Sequence, residues 1–160
     1  LIRSNRPVFG IIHAPALSET YWGAKETGAH FLHGDIESNS KQIFAHRASN
    51  SKIRIISSRS HPSSELESLL RRLNDYDLIT VGSSLKFCRI ASGEAECYPR
   101  HGPTCEWDTA AGEIIALSAG GIMTDLMGNA MKYNSKEDYL NPSFLVSSNV
   151  SNQEKFLSLA

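Results

Sequence analysis

The run Glu106-Trp107-Asp108-Thr109-Ala110-Ala111-Gly112 constrains this chain more than any other stretch. Small residues follow Asp108, apolar positions come at Ile114, Ile115 and Leu117, and Gly120-Gly121 closes the segment, so a helix is expected over 108–119. An acid in a first helical turn is favoured by the free N–H groups and the dipole there, which keeps Asp108 ionised at neutral pH. The same N–H groups attract phosphate, and side chains this small let an anion or a hydrated cation approach the backbone. A carboxylate beside such a helix start suits Mg²⁺, a hard ion that prefers oxygen ligands and bridges to phosphates. Helix capping alone also accounts for an Asp there. Taken by itself, the stretch leaves both readings open.

What surrounds it reads as a layered α/β chain. Pro7 to Ala14, Thr20 to Lys25 and Ala29 to His33 are β-rich segments separated by Gly-containing turns, which predicts an antiparallel meander. Ile36 to Asn50 is polar and poorly periodic, so it reads as an excursion or linker. From Lys52 strands and helices alternate. Ile53–Ser57, Asp77–Val81, Glu96–Tyr98, Ile122–Asp125 and Phe144–Ser148 are the expected strands. Ser64-Glu65-Leu66-Glu67 is a capping box opening a helix that carries Leu66, Leu69, Leu70 and Leu73. A second helix is expected over Ser83 to Ser92, closed by Gly93, and Met127-Gly128-Asn129 reads as a turn. The natural division is 1–50 and 51–160.

Bulk properties exclude more than they assign. A chain of 160 residues can bury a real core. A net charge of -1 and a pI near 6.6 give no electrostatic reason for a nucleic-acid polymer or an anionic membrane as partner. Cys88, Cys97 and Cys105 are odd in number and lack Cys-x-x-Cys spacing, which disfavours a disulfide framework or structural zinc and fits a reducing cytosol. Val8 to Leu17, the longest broadly apolar stretch, is too short to cross a bilayer.

Several residues could carry chemistry. Gly82-Ser83-Ser84 falls where a strand ends and a helix begins, the place where open α/β sheets bind ligands. A serine there caps the helix or bonds a ligand. Lys86 stands one turn on, as a surface charge or a cation turned toward that end. Arg100 follows a Tyr-Pro pair, and a guanidinium binds phosphate bidentately. His61 also lies between a strand and a helix. His30, His33 and Asp35 imitate a metal cluster, but in a strand the two histidines point to opposite faces and cannot share an ion. Cys105 has no histidine partner and reads as an inert thiol.

Trp107-Asp108-Thr109-Ala110-Ala111-Gly112 resembles the second signature of the inositol monophosphatase superfamily, Mg²⁺-dependent and lithium-sensitive phosphatases. Gly82 to Cys88 with Tyr98-Pro99-Arg100, and the tail Tyr139-Leu140-Asn141-Pro142-Ser143-Phe144, resemble its CysQ-type 3′(2′),5′-bisphosphate nucleotidase branch. The resemblance implies a layered sheet-and-helix C-terminal domain of the inositol monophosphatase/fructose-bisphosphatase-like fold, preceded by antiparallel strands of a first sheet. It implies Mg²⁺ as cofactor, with Asp108 a metal ligand and substrate contact. Ser83, Lys86, Arg100 and His61 match substrate-binding positions for a bisphosphorylated adenine nucleotide. The family's D-P-(I/L)-D-G-T segment is not among these residues, and the chain opens at Leu1. It is therefore expected to be the C-terminal part of such an enzyme, with the catalytic residues elsewhere and with association through an exposed sheet edge. The location implied is cytoplasmic, with peripheral attachment at the inner membrane also compatible. An inositol- or sugar-phosphate phosphatase, or a non-catalytic nucleotide-binding remnant, stands as the alternative.

Overall fold

A computed structural model describes residues 1–35, 39–46, 52–58, 64–73 and 75–159. The chain begins with a small hairpin, β1 (Ile2–Arg3) and β2 (Arg6–Pro7). Ser4 and Asn5 turn it with φ of 50° and 61°, the pair of positive values that a two-residue hairpin matching strand twist requires. Then β3 (Phe9–Ala14), β4 (Glu19–Ala24), β5 (Gly28–His33) and β6 (Lys41–Ile43) form an antiparallel sheet in sequential order. The three expected meander strands are there. β6 falls in the stretch read as a linker, because a three-residue edge strand that buries only Ile43 leaves almost no alternation to read.

The rest builds a five-stranded mixed sheet, ordered β10 (Ile122–Asp125), β11 (Phe144–Ser147), β9 (Cys97–Arg100), β7 (Ile53–Ser58), β8 (Tyr76–Val81). β7 runs parallel to both β8 and β9, while β11 is antiparallel to its two neighbours. Its helices are α1 (Ser64–Arg71), α2 (Leu85–Ala91), α3 (Glu106–Ser118) and α4 (Val150–Leu157). The period-2 alternation of strands sorts their side chains into two cores. Ile56, Tyr98, Phe144 and Val146 face α2 and α3, with Ile12, Tyr21 and Ala29 closing that core from the antiparallel sheet. Ile55, Cys97 and Leu145 face the other way, onto Leu69 and Leu70 of α1 and Phe156 of α4. The layers are thus sheet, α2 with α3, sheet, α1 with α4, the α/β architecture expected.

Glycines set the spacing around α3. A Cβ at Gly10 would stand 2.6 Å from the Ala111 carbonyl oxygen, and one at Gly112 only 2.4 Å from Cγ of Phe87. Absent Cβ atoms therefore let β3 and α2 lie directly against α3. The outer face of the antiparallel sheet is uncovered among the described residues. Phe9 and Ile11 stand 40% and 56% exposed there, and Trp22 stacks on His30 at 5.4 Å.

Other boundaries moved for local reasons. α2 starts at Leu85 and not at Ser83, because Ser83 sits in the left-handed region at φ 54°. α3 starts two residues before Asp108, with Cys105 as its N-cap. Ser64, expected to cap α1, is itself helical and its Oγ donates to Glu65 Oε2 at 3.1 Å. α4 carried no recognised signal: only Gln153 and Phe156 are buried, and its start is held by Asn149, whose side chain accepts from the Asn152 N–H at 2.9 Å.

Candidate functional site

A cleft of about 620 Å³ opens between the two sheets. Its floor is assembled from chain turns at the carboxyl ends of strands. Ser58 comes from the end of β7, Gly82-Ser83-Ser84 from the turn after β8, Arg100 from the end of β9, and Trp107, Asp108, Thr109 and Ala111 from the start of α3. Ile11, Ile12 and His13 of β3 form the facing wall. Parallel β7 and β8 put their carboxyl ends on one side, and the helices that follow start there too, which is why turns distant in sequence converge.

Asp108 is the third residue of α3 and is exposed. Its Oδ2 accepts from the Cys105 N–H at 2.8 Å, and the Cys105 sulfur accepts from the Asp108 N–H, so both halves of a capping box are formed. Capping is therefore a real part of what Asp108 does. It occupies one carboxylate oxygen and fixes the orientation of the other.

Two cations stand near it. Lys86 is only 7% exposed, with Nζ 5.5 Å from the centre of the Tyr98 ring. Burial, and then repulsion from the Arg100 guanidinium, push its ammonium down to about 8, while Asp108 pulls it back up. Among the described residues Lys86 makes no ion pair. Arg100 is steadied by its own loop, donating from Nε to Gly102 O and from Nη2 to Pro103 O, both at 3.2 Å. A buried ammonium and a tethered guanidinium beside a helix start make a site for a multiply charged anion. Ile12, Phe87 and Trp107 add apolar wall to the same cleft.

The structure thus brings Ser83, Lys86, Arg100 and Asp108 to one cleft. His61 lies outside the described residues. His30 and His33 do sit in a strand at opposite parities, with His30 Nε2 lying 3.0 Å from Thr27 O. Cys105 serves as a cap, while Cys88 and Cys97 are buried and burial pushes both thiols up. Sequence reading missed the β3 wall, because strand alternation alone does not tell which face of a sheet meets a second layer.

It also missed a strap that crosses the start of α3. Residues 131–141 connect β10 toward β11, and the Glu106 N–H, which has no partner inside α3, donates to Tyr139 O at 2.8 Å. Asn134 N–H donates to Glu106 Oε2 at 2.8 Å, and Asn141 N–H donates to Thr104 O at 2.8 Å.

Comparison with known proteins agrees with this architecture. The model of the inositol monophosphatase family matches residues 1–160. The chain is 40% identical over 152 residues to the 3′(2′),5′-bisphosphate nucleotidase CysQ of Salmonella typhimurium, covering 91% of this chain and 57% of that one. It is 38% identical over 153 residues to the CysQ of Escherichia coli K12, covering 92% of this chain and 57% of that one. The crystal structure of CysQ from Bacteroides thetaiotaomicron superposes with a TM-score of 0.80 at 33% identity, covering 92% of this chain and 60% of that one. This chain therefore spans a little over half the length of the curated relatives it matches. The fold, the signature at the start of α3 and the match along the whole chain agree: it belongs to the inositol monophosphatase family.

Proposed function

We propose that the cleft binds a bisphosphorylated adenine nucleotide, 3′-phosphoadenosine 5′-phosphate, and belongs to a phosphomonoesterase that removes its 3′-phosphate to leave AMP. The observation that carries this reading is the pair Lys86 and Arg100, two cations sharing one cleft with the helix start that holds Asp108. A substrate with two phosphates needs a second anion subsite besides the reacting one, and an inositol monophosphate does not. Ser83, held in a left-handed turn, presents its backbone and hydroxyl beside them. Trp107 and Ile12 offer apolar surface for a purine. The 3′(2′),5′-bisphosphate nucleotidase relatives support the same substrate class.

The divalent cation of this chemistry finds part of a site here. Asp108 offers one exposed carboxylate oxygen that capping leaves free. Among the described residues no group of three His, Cys, Asp or Glu side chains converges. The residues present therefore suit one ligand of Mg²⁺ and not a whole coordination sphere. When bound, such an ion supplies Lewis-acid activation and charge neutralisation for phosphoryl transfer. The chain's own residues hold and orient the phosphates. With one carboxylate, residues 1–160 alone are expected to bind Mg²⁺ weakly and to show no useful turnover. Robust Mg²⁺-dependent phosphate release by the purified chain overturns that expectation.

The substrate reading is tested by affinity. Arg100→Ala should weaken binding of 3′-phosphoadenosine 5′-phosphate by roughly ten- to a hundred-fold, the scale of one lost charge-assisted contact, and spare inositol monophosphate. Lys86→Ala should act in the same direction, since burial already holds that ammonium in place. Lys86 must be protonated to bind an anion, so nucleotide affinity should fall as pH rises through about 8, and Lys86→Ala should flatten that decline. Calorimetric titration of both ligands between pH 6 and 9.5 reads all of this. Equal losses on the two ligands would move these residues to the reacting phosphate, and the nucleotide assignment would give way to a general phosphatase.

A further inference from the structure

α3 carries a second acid that lies outside the cleft. Glu113 is 2% exposed, and a carboxyl buried that deeply needs a partner. The partner is Tyr133 of the strap, whose O–H donates to Glu113 Oε2. The same phenol lies 3.2 Å from Thr109 Oγ1, and Thr109 lines the cleft next to Asp108. Thr109 Oγ1 also lies 3.2 Å from Glu106 O and accepts from Asn141 Nδ2 at 3.0 Å. Tyr133 is anchored from behind by the first hairpin, where Asn5 Nδ2 donates to Tyr133 O at 2.7 Å and Tyr133 N–H donates back to Asn5 O at 3.1 Å. One buried chain of hydrogen bonds therefore links Glu113, the strap and the turn that bears Asp108.

We propose that Glu113 is a positioning residue of this cleft: by gripping Tyr133 it seats the strap across the first turn of α3, and its protonation sets the direction of the hydrogens along Tyr133 and Thr109. Each hydroxyl has one hydrogen to give. With Glu113 ionised, Tyr133 gives its hydrogen to the carboxylate and can only accept from Thr109, which draws the Thr109 hydrogen away from Glu106 O. With Glu113 protonated, the chain runs the other way. Glu113 donates to Tyr133, Tyr133 to Thr109, and Thr109 to Glu106 O, so the Tyr133–Thr109 bond present in both states is kept and the first turn of α3 gains the Thr109–Glu106 bond as well.

The groups around Glu113 place this reversal near neutrality. Burial pushes its carboxyl up to about 7, the Tyr133 hydrogen bond lowers it, and the charge that acts on it from the elements packed on α3 is Arg6 of β2, which also lowers it. Tyr133 is held well above the usual range, first by burial and then by Glu113, with Glu106 adding from the helix start. The seating of the strap is independent of what the cleft binds. Its relevance to catalysis rests on the nucleotide reading.

Hydrogen exchange of the full chain tests it without any ligand. The amides of Glu106, Asn134 and Asn141 report the strap, and those of α2 serve as reference. Between pH 6 and 8, protection of the three strap amides, corrected for intrinsic exchange, should fall about tenfold relative to α2 as the first turn of α3 loses its Thr109–Glu106 bond. Glu113→Gln cannot ionise, and its amide still donates to Tyr133, so the three amides should stay protected across that range. Tyr133→Phe should lower their protection at both pH values. The melting temperature gives a second reading that survives a poorly folding variant. The native carboxyl keeps its proton up to about 7 and the unfolded one only to about 4.5, so wild-type stability should fall as pH rises across that window, and Glu113→Gln should remove the decline. An unchanged pH dependence in Glu113→Gln, or strap amides unmoved in Tyr133→Phe, overturns the proposal. Failure of the wild type to bind nucleotide, with these exchange results intact, would instead sink only the functional reading.

Discussion

Valine at Gly10 is expected to lower the melting temperature by roughly 6–12 °C, the shift that about 3 kcal/mol produces in a domain of this size. The first carbon of any side chain there would meet the Ala111 carbonyl oxygen and the Ile114 methyl at 2.6 Å, and neither the strand nor the helix backbone can yield locally. The two must separate, and since β3 and the start of α3 are opposite walls of one cleft, ligand affinity should fall together with stability. Gly102→Ala is the control. A Cβ there meets its nearest neighbour, the Arg100 guanidinium, at an ordinary 3.5 Å, so thermal denaturation should register almost no change. A Gly10→Val protein that melts with the wild type would mean that α3 and the antiparallel sheet are not packed as described.

Asp108→Asn should cost orders of magnitude in Mg²⁺-dependent phosphate release, measured in a polypeptide of the relatives' full length that carries these residues. Stability should hardly move. The Asn side-chain oxygen can still accept from Cys105 N–H, so the cap survives while the charge that faces a cation is gone. Denaturation and turnover together make the decision. Loss of both would show that capping was the whole purpose of Asp108, and retention of activity would remove it from the metal site.

How legible the chain was depended on how local each cause is. The leucines of α1, the strand bounded by Ile53 and the small-residue run of α3 follow from spacing, and they are found where spacing put them. That Ser83, Lys86, Arg100 and Asp108 belong together came from the family resemblance and not from spacing, and the structure lines one cleft with all four. β6 and α4 escaped because each buries only one or two side chains. The Glu113–Tyr133 bond joins residues twenty positions apart and has no periodic trace. Glu113, set between Gly112 and Ile114, was passed over, and nothing in the sequence names its partner. The burial of Lys86 belongs with it, since a lysine one turn into a helix reads as a surface residue until a second layer covers it.

The sandwich position of α3 also shapes how the chain can be made. The inner face of the antiparallel sheet, with Ile12, Tyr21 and Ala29, is covered by a helix encoded about seventy residues later. At typical elongation rates of about 5–20 residues per second, the meander waits some 4–15 seconds outside the ribosome before that helix exists. Throughout that interval the face that α3 will cover is bare, and an uncovered strand edge can pair with any nascent strand nearby. Slower translation between His33 and Glu106 therefore lengthens a window of vulnerability to misassembly. A chaperone that shields the meander over those seconds would raise the yield of folded protein without altering its final stability.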